Sequence, residues 1–589
     1  LSIADRHLAA LRLTLTAENW SGKAEIETGI DAGVMNLPIA DDQLAQNMDF
    51  SDLWSDVQTQ EGARGGLLTA KTRISGRETV MGYCLSQAGS TERVPHAVVT
   101  RVQVQLTEGV PWTLEKLVCC ATYRDSDPMR RVRATLCGAE PAFDLRLRQS
   151  AAAWEEIWQD TDVELEGNDE WQGAIRYNIF QLIQAMPSAD SRASIGARGL
   201  THGRYKGCYF WDTEIFMLPM FLWTRPEDAE SLLGYRYHTL PDAMESAERF
   251  SAKGARYSWM SSDTGFEQCE SWDTGCCEIH ITADIAYAFY RYNSVISGEK
   301  MRNQSAEVLT QTARYWVDRF NYSAKEDRYH LLFVKGPDEY GGVTTDDFYT
   351  VCMARDNLQY AAQYVRALPA RHLQALVEKT GLTSQEPALW EEIARKVVLV
   401  RDGLLWRQDS TFDYLEPLDI AAAKDGDVPL YRTISFDRLQ RYQVLKQPDV
   451  LMYMALRPEC FSDTEVCAAW AYYEPRTLHD STLSFGIHAL LAARYGFARA
   501  TEYFEKSLFL DLKNIMGNTA NEGIHTAALG ATWQAMVLGF GGLEERGGAL
   551  HVSDHLPETL TAMRYRVQWH GTRYEIRLRR GEAPSVQKL

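Results

Sequence analysis

The sequence lacks the short motifs that carry chemistry in several large enzyme classes. It has no Gly-x-x-x-x-Gly-Lys loop for nucleotide phosphates, no Gly-x-Ser-x-Gly elbow for a nucleophilic serine and no His-Glu-x-x-His pair for a catalytic metal. The segment 539–542, GFGG, falls short of a dinucleotide fingerprint. These absences argue against nucleotide-dependent enzymes, hydrolases with a serine elbow and metalloproteases.

The sequence is also short of positive charge. It contains 61 Lys and Arg residues against 80 Asp and Glu residues, a formal net charge of −19. Nucleic acids and anionic membranes require a basic surface, so neither is an expected partner. Any small anion must instead be bound by a local pocket of cations, hydroxyl groups and backbone amides.

Long apolar runs and regular cysteine spacings are absent too. No stretch approaches the roughly 20 apolar residues of a membrane span, and nothing at the amino-terminal end resembles a signal peptide. The eleven cysteines are scattered, with adjacent pairs at 119–120 and 276–277, and have no zinc-like spacing. We therefore expect reduced thiols, no bound metal and a cytoplasmic protein.

Length and periodicity predict a multidomain chain. Its 589 residues exceed what one hydrophobic core organises. Before about residue 150, apolar and polar residues alternate, as at Val102, Val104 and Leu106, which is typical of an antiparallel sandwich. Further along the period becomes helical, and alternation returns near the end in a hairpin around 570–572. We predict a β-sandwich over 1–150, a helical linker over 151–168, a helical domain over 169–543 and a small β-sheet domain over 544–589.

The segment 334–342, VKGPDEYGG, is the most informative in the chain. It sets the adjacent carboxylates Asp338 and Glu339 between glycines and a proline. These residues favour a rigid loop, and such loops position side chains toward a substrate. Aromatic-rich helical segments on both sides would partly desolvate a carboxylic acid here and raise its pKa, as a general acid requires. A solvated surface turn is the alternative for an isolated Asp-Glu pair.

Four further segments favour the functional interpretation, because together with 334–342 they carry a family resemblance. They are 207–216 (GCYFWDTEIF), 446–450 (KQPDV), 473–484 (YEPRTLHDSTLS), and 523–525 (GIH) followed by 539–542 (GFGG). In this order they resemble the signature of glycoside hydrolase family 65, the inverting phosphorylases of maltose, trehalose, kojibiose and nigerose. The segments 1–7 and 18–19 resemble the amino-terminal domain of that family, so the resemblance runs along nearly the whole chain.

The chain departs from the family pattern at two places. Where the family has a Val-Asp-Asn-Asn-like run, residues 343–348 are VTTDDF, which leaves the acceptor specificity open and favours an α-1,2 or α-1,3 linkage, as in kojibiose or nigerose, over maltose. The chain also has no initiator Met and begins where family members are already inside their first domain. We therefore expect a shortened amino-terminal sandwich.

The resemblance implies a fold and an assembly. The helical domain is expected to be an (α/α)6 barrel, with twelve helices in two concentric layers and an active site built from the connecting loops at one mouth. The antiparallel β-sandwich precedes the barrel, and a small carboxy-terminal β-sheet follows it. Members of the family often form homodimers.

The resemblance also implies a reaction. Glu339 is expected to be the general acid, which protonates the glycosidic oxygen during phosphorolysis and removes a proton from the acceptor hydroxyl in the reverse direction. Inorganic phosphate is the nucleophile and co-substrate, no cofactor is implied, and the product is β-glucose 1-phosphate. Phosphate must be held in line with the leaving group.

The binding residues follow from the same motifs. Trp211 can stack on a sugar face while Asp212 accepts hydrogen bonds from its hydroxyls, and Lys446 and Gln447 can reach the same sugar or the phosphate. Phosphate is expected to be bound by His479, Ser481, Thr482 and His525.

Two alternatives remain open. An inverting hydrolase of the same family, of the kojibiose or trehalose hydrolase kind, would need a second carboxylate to activate water, and Glu474 and Asp480 are the candidates. A non-catalytic carbohydrate-binding protein would keep Trp211 and Asp212 but would have no use for Glu339.

Overall fold

The structure is a computed structural model that describes residues 1–34, 53–201, 204–296, 299–424, 426 and 428–589. The chain divides into two compact units, Leu1–Gln159 and Asp160–Leu589. Within the described ranges, no helix combines the length and the apolar character needed to cross a membrane.

The amino-terminal unit contains two antiparallel sheets. Its strands are β1 (Leu8–Leu15), β2 (Gly22–Asp31), β3 (Trp54–Gly62), β4 (Gly65–Thr72), β5 (Glu78–Leu85), β6 (Ser90–Val94), β7 (Ala97–Leu106) and β8 (Trp112–Thr122). One sheet has the order β1, β8, β5, β4, β3 and the other has the order β2, β7, β6. Two helices follow them, α1 (Pro128–Leu136) and α2 (Phe143–Thr161).

Alternation along the strands builds the core of this sandwich. Val102 and Val104 in β7 are buried, while the residues that follow each of them, Gln103 and Gln105, are exposed. Residues from both sheets, among them Leu68 of β4, form one hydrophobic cluster. The predicted sandwich is thus observed. In β1, by contrast, the alternating leucines at positions 11 and 13 point outward and are 56% and 41% exposed.

The second unit is mainly helical. Its helices are α3 (Asp169–Ala185), α4 (Leu218–Thr224), α5 (Pro226–His238), α6 (Leu240–Arg249), α7 (Trp272–Cys277), α8 (Ile281–Ile296), α9 (Arg302–Arg319), α10 (Phe348–Ala367), α11 (Ala370–Thr380), α12 (Glu386–Lys396), α13 (Ile420–Ala423), α14 (Phe436–Leu439), α15 (Val450–Leu456), α16 (Asp463–Tyr473), α17 (Ser484–Tyr495), α18 (Ala500–Leu508), α19 (Thr519–Glu522) and α20 (Thr526–Gln534). Short hairpins lie in the loops between them.

Helix α3 shows why these segments are helical. The Asn168 side chain caps it by accepting the backbone N–H of Trp171, and acidic residues follow in the first turn. Trp171, Ile175 and Ile179 form one fully buried face. The helix ends just before Pro187, which cannot continue it.

The carboxy-terminal residues form the predicted hairpin. The strands Ala562–Trp569 and Thr572–Arg579 pair antiparallel, and the buried Tyr565 lies opposite the buried Ile576. The segment 151–168 is not helical throughout, because its strand Val163–Glu166 pairs with the strand Ala562–Trp569 and extends this sheet. A pairing between residues 400 positions apart leaves no local sequence signal.

Candidate active site

The loop of residues 335–343 joins two short strands, Leu332–Val334 and Thr344–Thr345, that pair with each other. Its first backbone N–H, at Lys335, donates to the carbonyl of Cys277 at 3.0 Å. Further along, the Asp338 Oδ1 atom accepts the backbone N–H groups of Lys446 at 2.7 Å and Tyr340 at 3.2 Å. The loop is therefore fixed to the rest of the domain at its start, through Lys335, and at Asp338.

The two adjacent carboxylates of this loop have different environments. Asp338 is buried, and burial raises its pKa to about 7 although backbone N–H groups oppose the shift. The side chain of Glu339 is 32% exposed, and its Oε2 atom lies 2.8 Å from the Lys446 Nζ atom. Burial raises the pKa of Glu339, but Lys446, with Lys335 and Arg204, outweighs that effect and leaves the pKa below its ordinary value. Asp338 supports the loop, and Glu339 is the accessible, ionised carboxylate.

A buried ammonium group lies beneath the same loop. The Nζ atom of Lys335 is 2.9 Å from an oxygen of Asp273 and 3.4 Å from an oxygen of Glu278. Burial lowers the pKa of Lys335, but these two carboxylates raise it, so the net pKa is above its ordinary value. Burial likewise raises the pKa of Glu278 to about 7, although Lys335 opposes the shift. The cluster keeps a positive charge close to Glu339.

Trp211 and Asp212 precede a π-helical turn, Thr213–Met217, that leads into α4. Such turns are rare and often occur at functional sites. Burial raises the pKa of Asp212 to about 7, and the charges of Glu214 and, to a lesser degree, Glu339 add to that shift. Asp212 therefore lies in the electrostatic field of Glu339.

The indole ring of Trp211 is only 3% exposed. It meets the rings of His280 and Phe216 edge to face, with centroids 4.8 Å and 5.2 Å apart. The structure thus places Trp211 in a packed wall beside Asp212. Its stacking on a sugar stays a prediction.

Lys446 and Gln447 lie directly against the loop. The Lys446 side chain reaches Glu339, while the Gln447 amide donates to the carbonyl of Pro337. The other amide atom of Gln447, Oε1, is buried and has no hydrogen-bond partner within the described ranges. Lys446 therefore acts on the charge of Glu339, and Gln447 supports the backbone in front of it.

His525 is held in one orientation by Asp511. The Nδ1 atom of His525 lies 2.6 Å from Asp511 Oδ1, and its backbone N–H donates to Asp511 Oδ2 at 2.9 Å. Burial lowers the pKa of the imidazole, although Asp511 opposes the shift. The Nε2 atom is buried and has no partner within the described ranges. Asp511 thus fixes the tautomer with the proton on Nδ1 and leaves Nε2 for another group.

His479, by contrast, is engaged with its own segment. Its Nδ1 atom lies 2.8 Å from Ser484 Oγ, and its ring stacks on Phe485 with centroids 4.9 Å apart. Burial lowers its pKa well below the ordinary value, so the ring is neutral. Ser481 and Thr482 lie at the turn that enters α17, where the Ser481 Oγ atom accepts the backbone N–H of Leu483.

Asp480 connects this turn to the loop that carries Glu339. Its Oδ2 atom accepts the hydroxyl group of Tyr340 at 2.7 Å and the backbone N–H of Leu430 at 2.9 Å. Its Oδ1 atom lies 3.0 Å from the Lys424 Nζ atom. All three partners are donors, so the Asp480 carboxylate is fully engaged.

The sequence prediction did not include several charged residues of this site. Arg198 and Arg204 both bind Glu522, at 2.7 Å and 3.0 Å. Arg198 acts on the pKa values of both Asp212 and His525, so its guanidinium lies in the field of each. In the sequence, the basic residues just before the FWDTE motif were the feature that could have indicated Arg198 and Arg204. Among the described residues, no cluster of His, Cys, Asp and Glu is arranged to hold a metal ion.

Comparisons with known proteins agree with this fold. The "Glycosyl hydrolase family 65 central catalytic domain" matches residues 176–534, and the "Glycosyl hydrolase family 65, N-terminal domain" matches residues 1–157. The kojibiose phosphorylase of Halothermothrix orenii is 34% identical, with 98% of this chain and 78% of that protein covered. The α,α-trehalose phosphorylase of Thermoanaerobacter brockii is 31% identical, with coverages of 98% and 77%.

A solved structure from the human microbiome, which carries a provisional kojibiose phosphorylase name, superposes with a TM-score of 0.89 at 26% identity. The match covers 99% of this chain and 77% of that one. The predicted order of sandwich, (α/α)6 barrel and small carboxy-terminal sheet is confirmed. The chain belongs to glycoside hydrolase family 65 and is an enzyme of its disaccharide phosphorylase type.

Proposed function

We propose that the protein catalyses the reversible, inverting phosphorolysis of an α-linked glucosyl disaccharide to β-glucose 1-phosphate and a free sugar. Glu339 is the general acid, inorganic phosphate is the nucleophile, and no other cofactor takes part. The observation that supports this proposal best is the contrast between Glu339 and the two carboxylates that a hydrolase could use as its base.

That contrast lies in how the carboxylates are engaged. Glu474 accepts hydrogen bonds from Arg499 at 2.7 Å and from the hydroxyl of Tyr503, and Asp480 is buried against three donors. Proton transfer from water to either carboxylate would compete with these contacts, which at Glu474 both reach the Oε1 atom. Phosphate is already an anionic nucleophile, so a phosphorylase needs the acid alone.

The ion pair between Lys446 and Glu339 affects which direction of proton transfer is favoured. It favours the carboxylate form of Glu339, which is the form needed to take a proton from the acceptor hydroxyl during synthesis. Phosphorolysis needs the protonated form. We therefore infer that the bound disaccharide, by excluding water and displacing Lys446 from Glu339, raises the pKa of this residue in that direction.

The proposed phosphate site comprises His525, Ser481 and Thr482, with His479 shaping the turn. His525 supports this assignment most directly, because Asp511 orients its ring and its Nε2 atom is left without a partner within the described ranges. Asp511 would also stabilise the imidazolium ion that forms beside a bound dianion. Arg198 adds positive charge nearby, which a chain of net charge −19 must supply locally.

The proposed sugar site comprises Trp211, Asp212, Lys446 and Gln447. Asp212, whose pKa is raised to about 7 by burial, can accept or donate hydrogen bonds to glucosyl hydroxyls. For the acceptor we propose an α-1,2 or α-1,3 linked glucose, as in kojibiose or nigerose. A relative named as a kojibiose phosphorylase, 34% identical over 98% of this chain, supports the α-1,2 linkage.

A panel of glucosyl disaccharides, incubated with and without phosphate, tests the proposal. We expect glucose 1-phosphate only when phosphate is present, first with kojibiose or nigerose, and NMR should identify the β anomer. Equal cleavage without phosphate, with free glucose as the only product, would establish a hydrolase. Sugar binding without any turnover would establish a carbohydrate-binding protein.

A further inference from the structure

Two aspartates at the amino-terminal ends of neighbouring helices lie beneath the Glu339 loop. Asp347 caps α10, since its Oδ1 atom accepts the N–H and the hydroxyl of Thr350 at 2.8 Å and 2.5 Å. Asp449 precedes α15 but makes no capping hydrogen bond with its side chain. Both side chains are buried, with 1% of their surface exposed. The Asp449 carboxyl group is therefore directed elsewhere.

The two carboxyl groups meet each other at Gly336. A Cβ atom built on Gly336 would overlap the Oδ2 atoms of both Asp347 and Asp449, so these oxygens lie over the same point of the backbone. Both oxygens lie within 2.4 Å of that point, which brings the two carboxyl groups within reach of each other. Because ionised carboxylates are acceptors only, a hydrogen bond between two of them requires a proton.

The pair also packs against the backbone in front of Glu339, at Gly336. The Oδ2 atom of Asp449 accepts the Gln408 side-chain amide at 3.0 Å. The KQPD segment, which contains Asp449, is bound to the same loop, because Asp338 accepts the backbone N–H of Lys446 and the Gln447 amide donates to the carbonyl of Pro337. The aspartate pair thus lies at one end of the connection between the loop and this segment.

The surroundings of the pair favour one negative charge over two. The titratable groups that face it are Asp338 from the loop, Asp409, His280, and Tyr349 and Cys352 from α10. Burial raises the pKa of Asp347 to about 6, and burial together with Asp347 raises that of Asp449 well above its ordinary value. Two ionised carboxylates in direct contact repel each other strongly in such a site.

We propose that Asp347 and Asp449 share one proton and that this carboxyl–carboxylate pair positions the loop that carries Glu339 for catalysis. The role in catalysis rests on the proposed function, whereas the shared proton itself does not. When the proton is lost at high pH, the two charges separate and the Gly336–Asp338 backbone moves. Activity then declines on the alkaline side for a reason that does not involve the titration of Glu339.

The first test compares Asp347→Asn with Asp347→Ala. The Asn amide keeps the cap through its oxygen and donates permanently to Asp449, so it replaces the shared proton. We expect Asp347→Asn to retain turnover near neutral pH and to lose the alkaline decline of the wild type. Asp347→Ala leaves Asp449 without its donor and should lose about tenfold to a hundredfold in turnover. Asp419→Asn, at the exposed cap of α13, is the matched control and should leave the pH profile unchanged.

The second test does not depend on the reaction. Hydrogen–deuterium exchange of residues 335–342 is compared between the wild type and Asp347→Asn at each pH, so that intrinsic exchange rates cancel. We expect the wild-type loop to exchange faster than the variant only at alkaline pH. The proposal would be overturned if the wild type and Asp347→Asn showed the same exchange rates and the same decline of activity at alkaline pH. Wild-type turnover in Asp347→Ala would overturn it as well. An altered exchange pattern in a protein without phosphorolysis would reject the proposed function alone.

Discussion

The carboxylates and the histidines of the active site respond to burial in opposite ways. On the acid side, which comprises Asp212, Asp338 and Glu339, burial raises the pKa of the two aspartates to about 7. On the anion side, which is the proposed phosphate site and includes His479 and His525, burial lowers the pKa of both imidazoles. Burial therefore drives both regions toward neutral groups.

The exception on the acid side shows what preserves a charge. Glu339 keeps a lowered pKa because the Lys446 ammonium lies 2.8 Å away. At Glu339, the cations outweigh burial, whereas at Glu278 burial outweighs the nearby Lys335. Single substitutions on the acid side and on the anion side should therefore have different effects.

The largest effect is expected for Glu339→Gln, which removes the only transferable proton from the proposed acid. Turnover of the disaccharide should fall by about 10² to 10⁴, the usual range for a lost general acid. Glucosyl fluoride needs little leaving-group protonation, so its turnover should fall much less. Steady-state kinetics with both substrates measure the difference. Glu378→Gln, on the exposed face of α11, is the control. Equal losses of turnover for both substrates would contradict the role of Glu339 as the acid and make Asp338 the next candidate.

A smaller effect is expected for Ser481→Ala and His525→Ala on the anion side. Loss of one charge-assisted donor, about 1.5 to 3 kcal/mol, should raise the KM for phosphate by roughly tenfold to a hundredfold and leave the KM for the disaccharide nearly unchanged. Trp211→Phe should do the reverse. Kinetics at varied phosphate and saturating sugar measure both constants. An unchanged phosphate KM in both variants would place the anion nearer to Lys446.

A third effect concerns stability and pH at His488, whose ring packs on His479. Burial lowers the pKa of His488 to about 4, while an unfolded histidine titrates near 6.5, so the unfolded chain binds more protons below that pH. Folding stability therefore falls on acidification from pH 7 to 5, by roughly 2 kcal/mol from this residue.

His488→Asn keeps a donor for the Ser484 carbonyl but cannot titrate. Its thermal midpoint should drop less between pH 7 and 5 than that of the wild type. His551→Asn, at an exposed position of the strand Ala549–Val552, should behave as the wild type does. A variant at position 488 with unchanged pH dependence would show that this imidazole is not held neutral.

The smallest effect is expected for Glu474→Gln, which separates a phosphorylase from a hydrolase. Glu474 pairs with the half-exposed Arg499, and such pairs contribute about 0 to 1 kcal/mol. Turnover and phosphate dependence should stay close to those of the wild type. A loss comparable to that of Glu339→Gln would identify Glu474 as a catalytic base.

Much of the fold and part of the site could be predicted from the sequence. The alternation at Val102 and Val104, the helical face of Trp171 and Ile175, and the terminal hairpin are local patterns, and each forms the element that it predicts. The loop around Glu339 was predictable for the same reason, because proline and glycine interrupt helices and strands and favour turns.

Only the tertiary structure decided which groups share an environment. The sequence treats Asp338 and Glu339 as equals, but the fold buries the first and pairs the second with Lys446, more than a hundred residues away. The approach of Asp347 to Asp449 at Gly336 arises in the same way. Periodicity determines which residues form a helix or a strand, whereas pKa values depend on burial and on neighbours that are brought together only when the chain folds.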